Sequence, residues 1–334
     1  MAENKLNVVE NGGETDASLA LMSMYGGHRI DFRKYRSFET LPREAWDYLD
    51  DVLIRTAKEI LVGTGDLNTY PGTSFNFDGM SASVYTRKQV SEVGEANLAV
   101  SPDTVSDSAI LDLDDLSIPM LVAYKDFRLN TKHMAMASRI GMPLDTALAE
   151  EATRSVARKV EDLLFNGDVR ANGARAYGYT TFPQRQTFTI VTSWTTADPD
   201  AILNDVNSMV SLSMQANHYG PWVLYIPWQY QTRLNQDYVV GGYPTGSSIM
   251  DRLLQLPNLD AIKISNDLAD DNVVLVEMSS GTVQMINGMP LRVLAWEPPG
   301  TPNWDHKFKV MTIAVPMLIS DYKGQCGIVH GSTT

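Results

Sequence analysis

Between Pro143 and Asp168 the chain reads PLDTALAEEATRSVARKVEDLLFNGD, the pattern of one long amphipathic helix. Asp145 or Thr146 can cap its start, Glu150 and Glu151 sit near the positive end of its dipole, and Gly167 suits a left-handed position just past its end. Leu148, Ala152, Val156, Val160, Leu163 and Leu164 fall on one narrow apolar stripe, with Arg154, Arg158, Glu161 and Asp162 off it. A helix over 146–166 is a rod of roughly 30 Å. With so thin a stripe, one side rests on a sheet and the other meets solvent or another chain.

The segments around this rod differ in texture. Residues 1–39 are polar and without sustained periodicity, an extended arm. From Thr40 a helical period carries Trp46, Leu49, Leu53, Ala57 and Ile60, with Gly63 as its stop. TSFNFDGMSASVYTRKQV (73–90) alternates apolar and polar residues around the Asp78-Gly79 turn, and 105–130 continues as strand material. Together they predict a β excursion with a polar tip near 91–108, more hairpin than one compact domain needs. Downstream, DPDAILNDVNSMVSLSMQANH predicts a helix with Asp198 as cap and Pro199 at its first position. WVLYI (222–226) follows as a buried strand with a short helix after Pro227, and 241–256 reads as a loop feeding another short helix. AIKIS, VVLVEM, TVQMI, LRVLAWE and a long 307–322 stretch read as strands. The fold class is α+β.

Composition narrows the function. The chain has 27 Lys and Arg against 40 Asp and Glu, a net charge of −13. A protein that grips phosphates needs an excess of cations or a dense basic stripe. The one notable basic cluster, HRIDFRKYR, holds Arg29, Arg33, Lys34 and Arg36, which fit an acidic neighbouring subunit or plain solvation better than nucleic acid. Cys326 is the only cysteine, which excludes an internal disulfide and a cysteine zinc site and fits a reducing compartment. The polar start carries no signal-peptide pattern, and IAVPMLI (313–319) is too short to span a bilayer, so no membrane role is expected.

Catalytic signatures are missing. No phosphate-binding loop, His-Glu-x-x-His or Gly-x-Ser-x-Gly occurs, and GTGDLN (63–68) has only two glycines of a dinucleotide fingerprint. The five histidines are scattered. LDLDDL (111–116) and DLADDN (267–272) lack the register of a calcium loop and read as solvated acidic turns. No enzyme, cofactor or metal is expected from these residues.

IPMLVAYKDFRLNTKHM followed by the long helix resembles the encapsulin shell proteins and the encapsulin-like major capsid proteins of tailed phages. In that family the helix ends in a Glu-Asp-x-x-Phe-x-Gly signature, here Glu161, Asp162, Phe165 and Gly167. EAWDYLDDVLIRTAKEIL, WVLYIPWQYQTRL, YPTGSSIMDRLLQL and VVLVEMSSGTVQMI follow in the family's order, so the resemblance runs over about 40–320. It implies a Hong Kong 97-type capsid fold. The N-arm would be 1–39, the first helix and lead-in to the peripheral domain 40–72, and the extended loop 73–118. The peripheral domain with its spine helix would be 119–194, the axial domain 195–292, and the return strands 293–334.

The function implied is a major capsid protein that self-assembles into the icosahedral head shell of a bacteriophage. Its partners would be identical subunits in pentamers and hexamers, with portal, scaffolding and decoration proteins as candidates. Double-stranded DNA would be enclosed without sequence-specific binding, in a virion assembled in the host cytoplasm. Candidate inter-subunit contacts are Arg29, Arg33, Arg36, Asp78 and Lys88. Some phage capsids join a hairpin lysine to a neighbour's asparagine; Lys88 lies in the hairpin region here and Asn303 near the final strands, and sequence alone does not establish such a bond. The longer polar arm and the tail SDYKGQCGIVHG depart from a typical encapsulin. An encapsulin shell enclosing a cargo enzyme remains the alternative reading, and a soluble α+β enzyme with a dispersed site the third.

Overall fold

A computed structural model describes residues 43–90, 113–130, 132, 147–169, 175–240, 243–295 and 305–333. In chain order they form helix α1 (Arg43–Ile60), helix α2 (Gly63–Thr69) and strands β1 (Ser74–Asn76), β2 (Val84–Val90), β3 (Leu113–Pro119) and β4 (Ala123–Asn130). The long helix α3 (Ala147–Asn166) follows, then β5 (Asp168–Val169), β6 (Arg175–Ala176), β7 (Gln186–Ile190) and helix α4 (Pro199–Gln215). Next come β8 (Trp222–Pro227), α5 (Trp228–Leu234), β9 (Asp237–Val240), β10 (Tyr243–Ser248) and α6 (Ile249–Leu254). The chain closes with β11 (Leu259–Ser265), β12 (Asn272–Glu277), β13 (Val283–Ala295), β14 (Asp305–Leu318) and β15 (Ile328–Thr333). The chain divides into two compact units, and α3, β13 and β14 contribute residues to both.

The larger unit is built on a five-stranded sheet of order β11-β8-β12-β15-β7. β11 is parallel to β8, β12 is antiparallel to both β8 and β15, and β7 is parallel to β15. All six residues of β8 are buried, because both faces of the sheet are covered. The period-2 alternation of a strand sends Trp222, Leu224 and Ile226 to one side and Val223 and Tyr225 to the other. The first set joins Val273, Leu275 and Val329 under Ile202, Val206 and Met209 of α4 and Leu234, Ile249 and Leu253 of α5 and α6. The second joins Val274, Val276 and Ile328 under Val160, Leu164 and Phe165 of α3 and Leu67 of α2.

The smaller unit includes α1, the first half of α3, most of β4, and parts of β13 and β14. Leu49, Val52 and Leu53 of α1 are buried, as are Ala149, Ala152 and Val156 of α3. Phe127 of β4 stacks on Phe308 of β14 with ring centroids 5.3 Å apart. Leu129, Leu291, Val293 and Val310 are buried in the same unit.

Several elements differ from the sequence expectation. Leu148, placed on the apolar stripe, is exposed, and the buried line runs instead through Ala149, Ala152, Val156, Val160, Leu163 and Leu164. α1 ends at Ile60, and Gly63 opens α2 rather than closing α1. The stretch read as a loop at 241–256 contains β10, antiparallel to β9. The two strands read at 282–286 and 291–297 are the single strand β13. It crosses Gly288 because a Cβ there would come within 2.9 Å of the Gly79 Cα and 2.8 Å of Ile313 Cγ2. β7 and β15 have no counterpart among the expected strands. The proposed caps of α3, Asp145 and Thr146, lie outside the described residues.

Two-sided burial of β8 makes a sharp prediction. Leu224→Ala should lower the stability of the full chain by roughly 2–5 kcal/mol, while Val191→Ala at an exposed site should stay within about 0.5 kcal/mol. Chemical-denaturation midpoints of the two variants measure the difference.

Candidate assembly site

β2 and β3 pair antiparallel, from Val84 opposite Pro119 to Val90 opposite Leu113. Their two faces have different surroundings. Tyr85 packs on Phe75 and Phe77 at centroid distances of 5.5 and 5.1 Å, and Ile118 on the same face is buried. Arg87 Nη1 donates to the Ser280 carbonyl at 3.2 Å, and Gln89 Nε2 donates to the Ser320 carbonyl at 2.5 Å. This face is seated on the chain's own larger unit. The other carries Val84, Thr86 and Lys88 with Leu113, Asp115 and Ser117, all exposed, Val84 by 47% and Leu113 by 58%.

The excursion read over 73–130 is therefore tied at both ends. β1 pairs in parallel with β13, and β4 joins β14 in the four-stranded sheet of order β1-β13-β14-β4. Of the four described strands of this excursion, β2 and β3 pair with each other as a separate two-stranded ribbon. Lys88 lies directly opposite Asp115 on its free face. Asp78 is engaged locally, its Oδ1 accepting from Met80 N–H at 3.2 Å. Arg29, Lys34, Arg33, Arg36 and Asn303 lie outside the described residues.

The four signature residues gather at the end of α3, each with its own task. Glu161 is almost fully buried, although the helical period places it off the stripe. Its Oε1 accepts from Gly63 N–H at 2.5 Å, and its Oε2 accepts from Thr64 N–H at 3.3 Å and Thr64 Oγ1 at 3.0 Å. The carboxylate thus satisfies the first free amides of α2. GTGDLN is this helix start, not a nucleotide loop. Gly63 leaves room for the contact, since a Cβ would meet Leu164 Cδ2 at 2.8 Å. Burial raises the Glu161 carboxyl to about 7 against these stabilising bonds.

Phe165 sits edge-on to Tyr179 and Tyr225, at 5.6 and 5.2 Å between centroids. Gly167 has φ +71°, and a Cβ would lie 2.5 Å from the Ala176 carbonyl oxygen. The turn after β6 can then reach the helix end, where Tyr179 N–H and Thr180 N–H donate to the Leu164 and Phe165 carbonyls. Asp162 accepts from Lys159 and Asn166, each at 2.9 Å. The position and motif of these residues were legible in the sequence. The partner of Glu161, nearly a hundred residues away along the chain, was not.

Among the described residues no three His, Cys, Asp or Glu side chains are grouped to hold a metal. Asp271 accepts from Ser193, Gln229 and Tyr230 and so closes a turn. His330 lies between Arg185 and Asn272, with burial lowering it to about 4. The Cys326 thiol is buried and pushed up to about 12. Among the described residues, no helix is long and apolar enough to cross a membrane.

The family described as "Family of unknown function (DUF6260)" matches residues 35–331. The chain belongs to this family. This DUF6260 chain is also 26% identical over 139 residues to a diheme-cytochrome-encapsulin shell fusion protein of Kuenenia stuttgartiensis. That match covers 41% of the chain and 36% of the relative, so the chain spans about a third of that protein's length. Among solved structures, the virus-like particle from Pyrococcus furiosus superposes with a TM-score of 0.61 at 14% identity, covering 86% of this chain and 100% of that one. The capsid of Myoviridae phage XM1 superposes with a TM-score of 0.62 at 13% identity, covering 79% and 90%. The DUF6260 chain has the α+β Hong Kong 97-type capsid fold, and its resemblance to encapsulin-like capsid proteins is borne out.

Two measurements probe the junction. Glu161 titrates higher in the folded than in the unfolded chain, so its contribution is fully present below about 4.5 and is lost as pH rises through about 7. Glu161→Gln should flatten the fall in stability between these values, read from denaturation midpoints across pH. Gly167→Ala forces a Cβ against backbone at positive φ and should cost roughly 1–3 kcal/mol. A thermal or chemical melt checks it.

Proposed function

We propose that this chain is the major capsid protein of a tailed double-stranded DNA phage, closing with identical copies into an icosahedral head shell. The observation that carries this reading is the β2–β3 ribbon, seated on its own subunit by one face and bare on the other within a capsid-type fold. An exposed two-stranded ribbon is marginal in water by itself. A second copy lying on Val84, Leu113 and the Lys88–Asp115 pair would bury its free face. The arm 1–39 and its cations Arg29, Arg33 and Arg36 serve the same contacts between copies. The extended loop over 73–118, the axial domain over 195–292 and the peripheral segments on either side follow the sequence assignment. The subunit acts without catalysis or cofactor, in a virion assembled in the host cytoplasm. Portal and scaffolding proteins are its further partners, and the DNA is enclosed, not gripped.

A second reading has its own support. The curated relative is named an encapsulin shell fusion, and the whole Pyrococcus particle chain superposes on this one. An encapsulin-type shell would be the same tile around a protein cargo. Electron microscopy of the expressed chain should show closed particles, and a small soluble oligomer would overturn both shell readings. Particles filled with double-stranded DNA in a producing lysate favour the phage head, and particles holding a co-purifying enzyme favour the encapsulin. Val84→Asp with Leu113→Asp should leave the subunit folded by circular dichroism yet abolish closed particles. Particles of normal size from that variant would remove the free face from the assembly contact.

A further inference from the structure

The seat under the hairpin leads to a buried ionisable pair that the assembly reading does not use. Glu277 ends β12 and is almost fully buried, as is His218 in the loop after α4. His218 Nδ1 lies 2.5 Å from Glu277 Oε2, and Thr282 Oγ1 and Ser279 Oγ donate to the same oxygen at 2.7 and 3.2 Å. Glu277 Oε1 accepts from Tyr219 N–H and Gly220 N–H, both at 3.1 Å. Five donors converge on one carboxylate, which fixes it as the anion and places a proton on His218 Nδ1. His218 Nε2 is buried with no hydrogen-bond partner. Gly327 closes the cluster, since a Cβ there would sit within 2.9 Å of His218 Nδ1, Glu277 Oε2 and Thr282 Oγ1.

The two loops that wrap this pair are the two on which β2 rests. The turn over 279–282 gives its hydroxyls Ser279 and Thr282 to Glu277 and its Ser280 carbonyl to Arg87. The Thr282 carbonyl accepts from Ile319 N–H at 3.0 Å, and the adjacent Ser320 carbonyl accepts from Gln89. The Cys326 thiol, at the far end of that second loop, donates back to the Ile319 carbonyl. We propose that the His218–Glu277 pair is a proton-operated seat for the hairpin: the imidazolium charge beside the buried Glu277 anion clamps both loops, and loss of the Nε2 proton, which leaves a neutral Nδ1–H bond to that anion, loosens β2.

The sign follows from the surroundings of the imidazole. Its hydrogen bond to Glu277 is the largest influence and raises His218 above its usual value of 6.5, burial opposes this, and the Glu277 and Asp321 charges add to it. The groups facing the pair are Glu277 from β12, Asp321 and Cys326 from the 319–327 loop, and the hydroxyls of the 279–282 turn. Arg87 of β2 reaches the outer side of that turn, and Tyr219 adjoins His218 on its own loop. Cys326 stays neutral through the neutral range, so no thiolate competes for the proton. The pair's contribution is fully present between about 4.5 and 6.5; it is lost as pH rises through the raised folded value of His218 and as pH falls through the lowered one of Glu277.

Hydrogen exchange of the unassembled full-length chain, corrected for intrinsic rates, tests this without reference to shells. Peptides covering 84–90 and 279–282 should lose at least about fivefold in protection between pH 6 and 8.5 in the wild type. His218→Gln should show no such change. Arg87→Ala with Gln89→Ala should leave the hairpin peptide weakly protected at all pH values while the His218 NMR signal still titrates. Wild-type protection that ignores pH, or an unchanged pH response in His218→Gln, overturns the proposal. If His218→Gln fails to fold, the wild-type imidazole titration decides: its midpoint must match that of the exchange, and a mismatch overturns the seat.

Discussion

The architecture depends on burying β8 and β12 on both faces at once. Trp222, Leu224 and Ile226 alternate with Val223 and Tyr225, and each side chain taken fully from water contributes about 1.5–3 kcal/mol. Helices α4, α5 and α6 use one face, and α2 with the end of α3 uses the other. With both faces of the central strands occupied, the β2–β3 ribbon finds little apolar surface to share. It takes a few polar bonds and the Tyr85 aromatic contact on one side and stays bare on the other. A ribbon with one bare face is thus a consequence of how the core is filled.

The end of α3 turns a helix into a joint. A single buried carboxylate, Glu161, holds the start of α2, and Phe165 fills the space beside Tyr225 under the sheet. Gly167 then lets the chain turn back so closely that Tyr179 and Thr180 complete the last carbonyls of the helix. A carboxylate without its charge partner is costly inside a protein, and here backbone and hydroxyl donors take that part. The four motif residues make sense as one construction: an acid that binds a neighbouring helix, an aromatic plug, a glycine that permits the reversal and an aspartate that trims the exposed edge.

Local pattern carried much of the fold. The long helix, the α4 helix behind Asp198 and Pro199, and the strands of WVLYI, AIKIS and VVLVE follow from periodicity and caps within each segment. The misses have a common origin. Leu148 satisfies the helical period but faces outward, and Glu161 breaks it yet lies inside, because burial depends on what the opposing surface offers. β15 hides in a tail of glycines, and β7 in a short polar alternation, since each becomes a strand only by pairing with a distant neighbour. The His218–Glu277 pair left no local trace: its members are far apart in sequence, and their common surroundings come from three separate loops.

The sequence by itself determined the α+β class, the long rod with its terminal motif, the surplus of β hairpin, and a charge and cysteine content ill-suited to gripping nucleic acid or to disulfide and zinc chemistry. These are properties of short windows and of totals, set by helical and strand periods and by counting. The tertiary structure decided which face of the hairpin is free, what Glu161 binds, and that the loops under β2 enclose an ionisable pair. Those facts depend on long-range packing, where a side chain's surroundings are assembled from segments the linear order keeps apart.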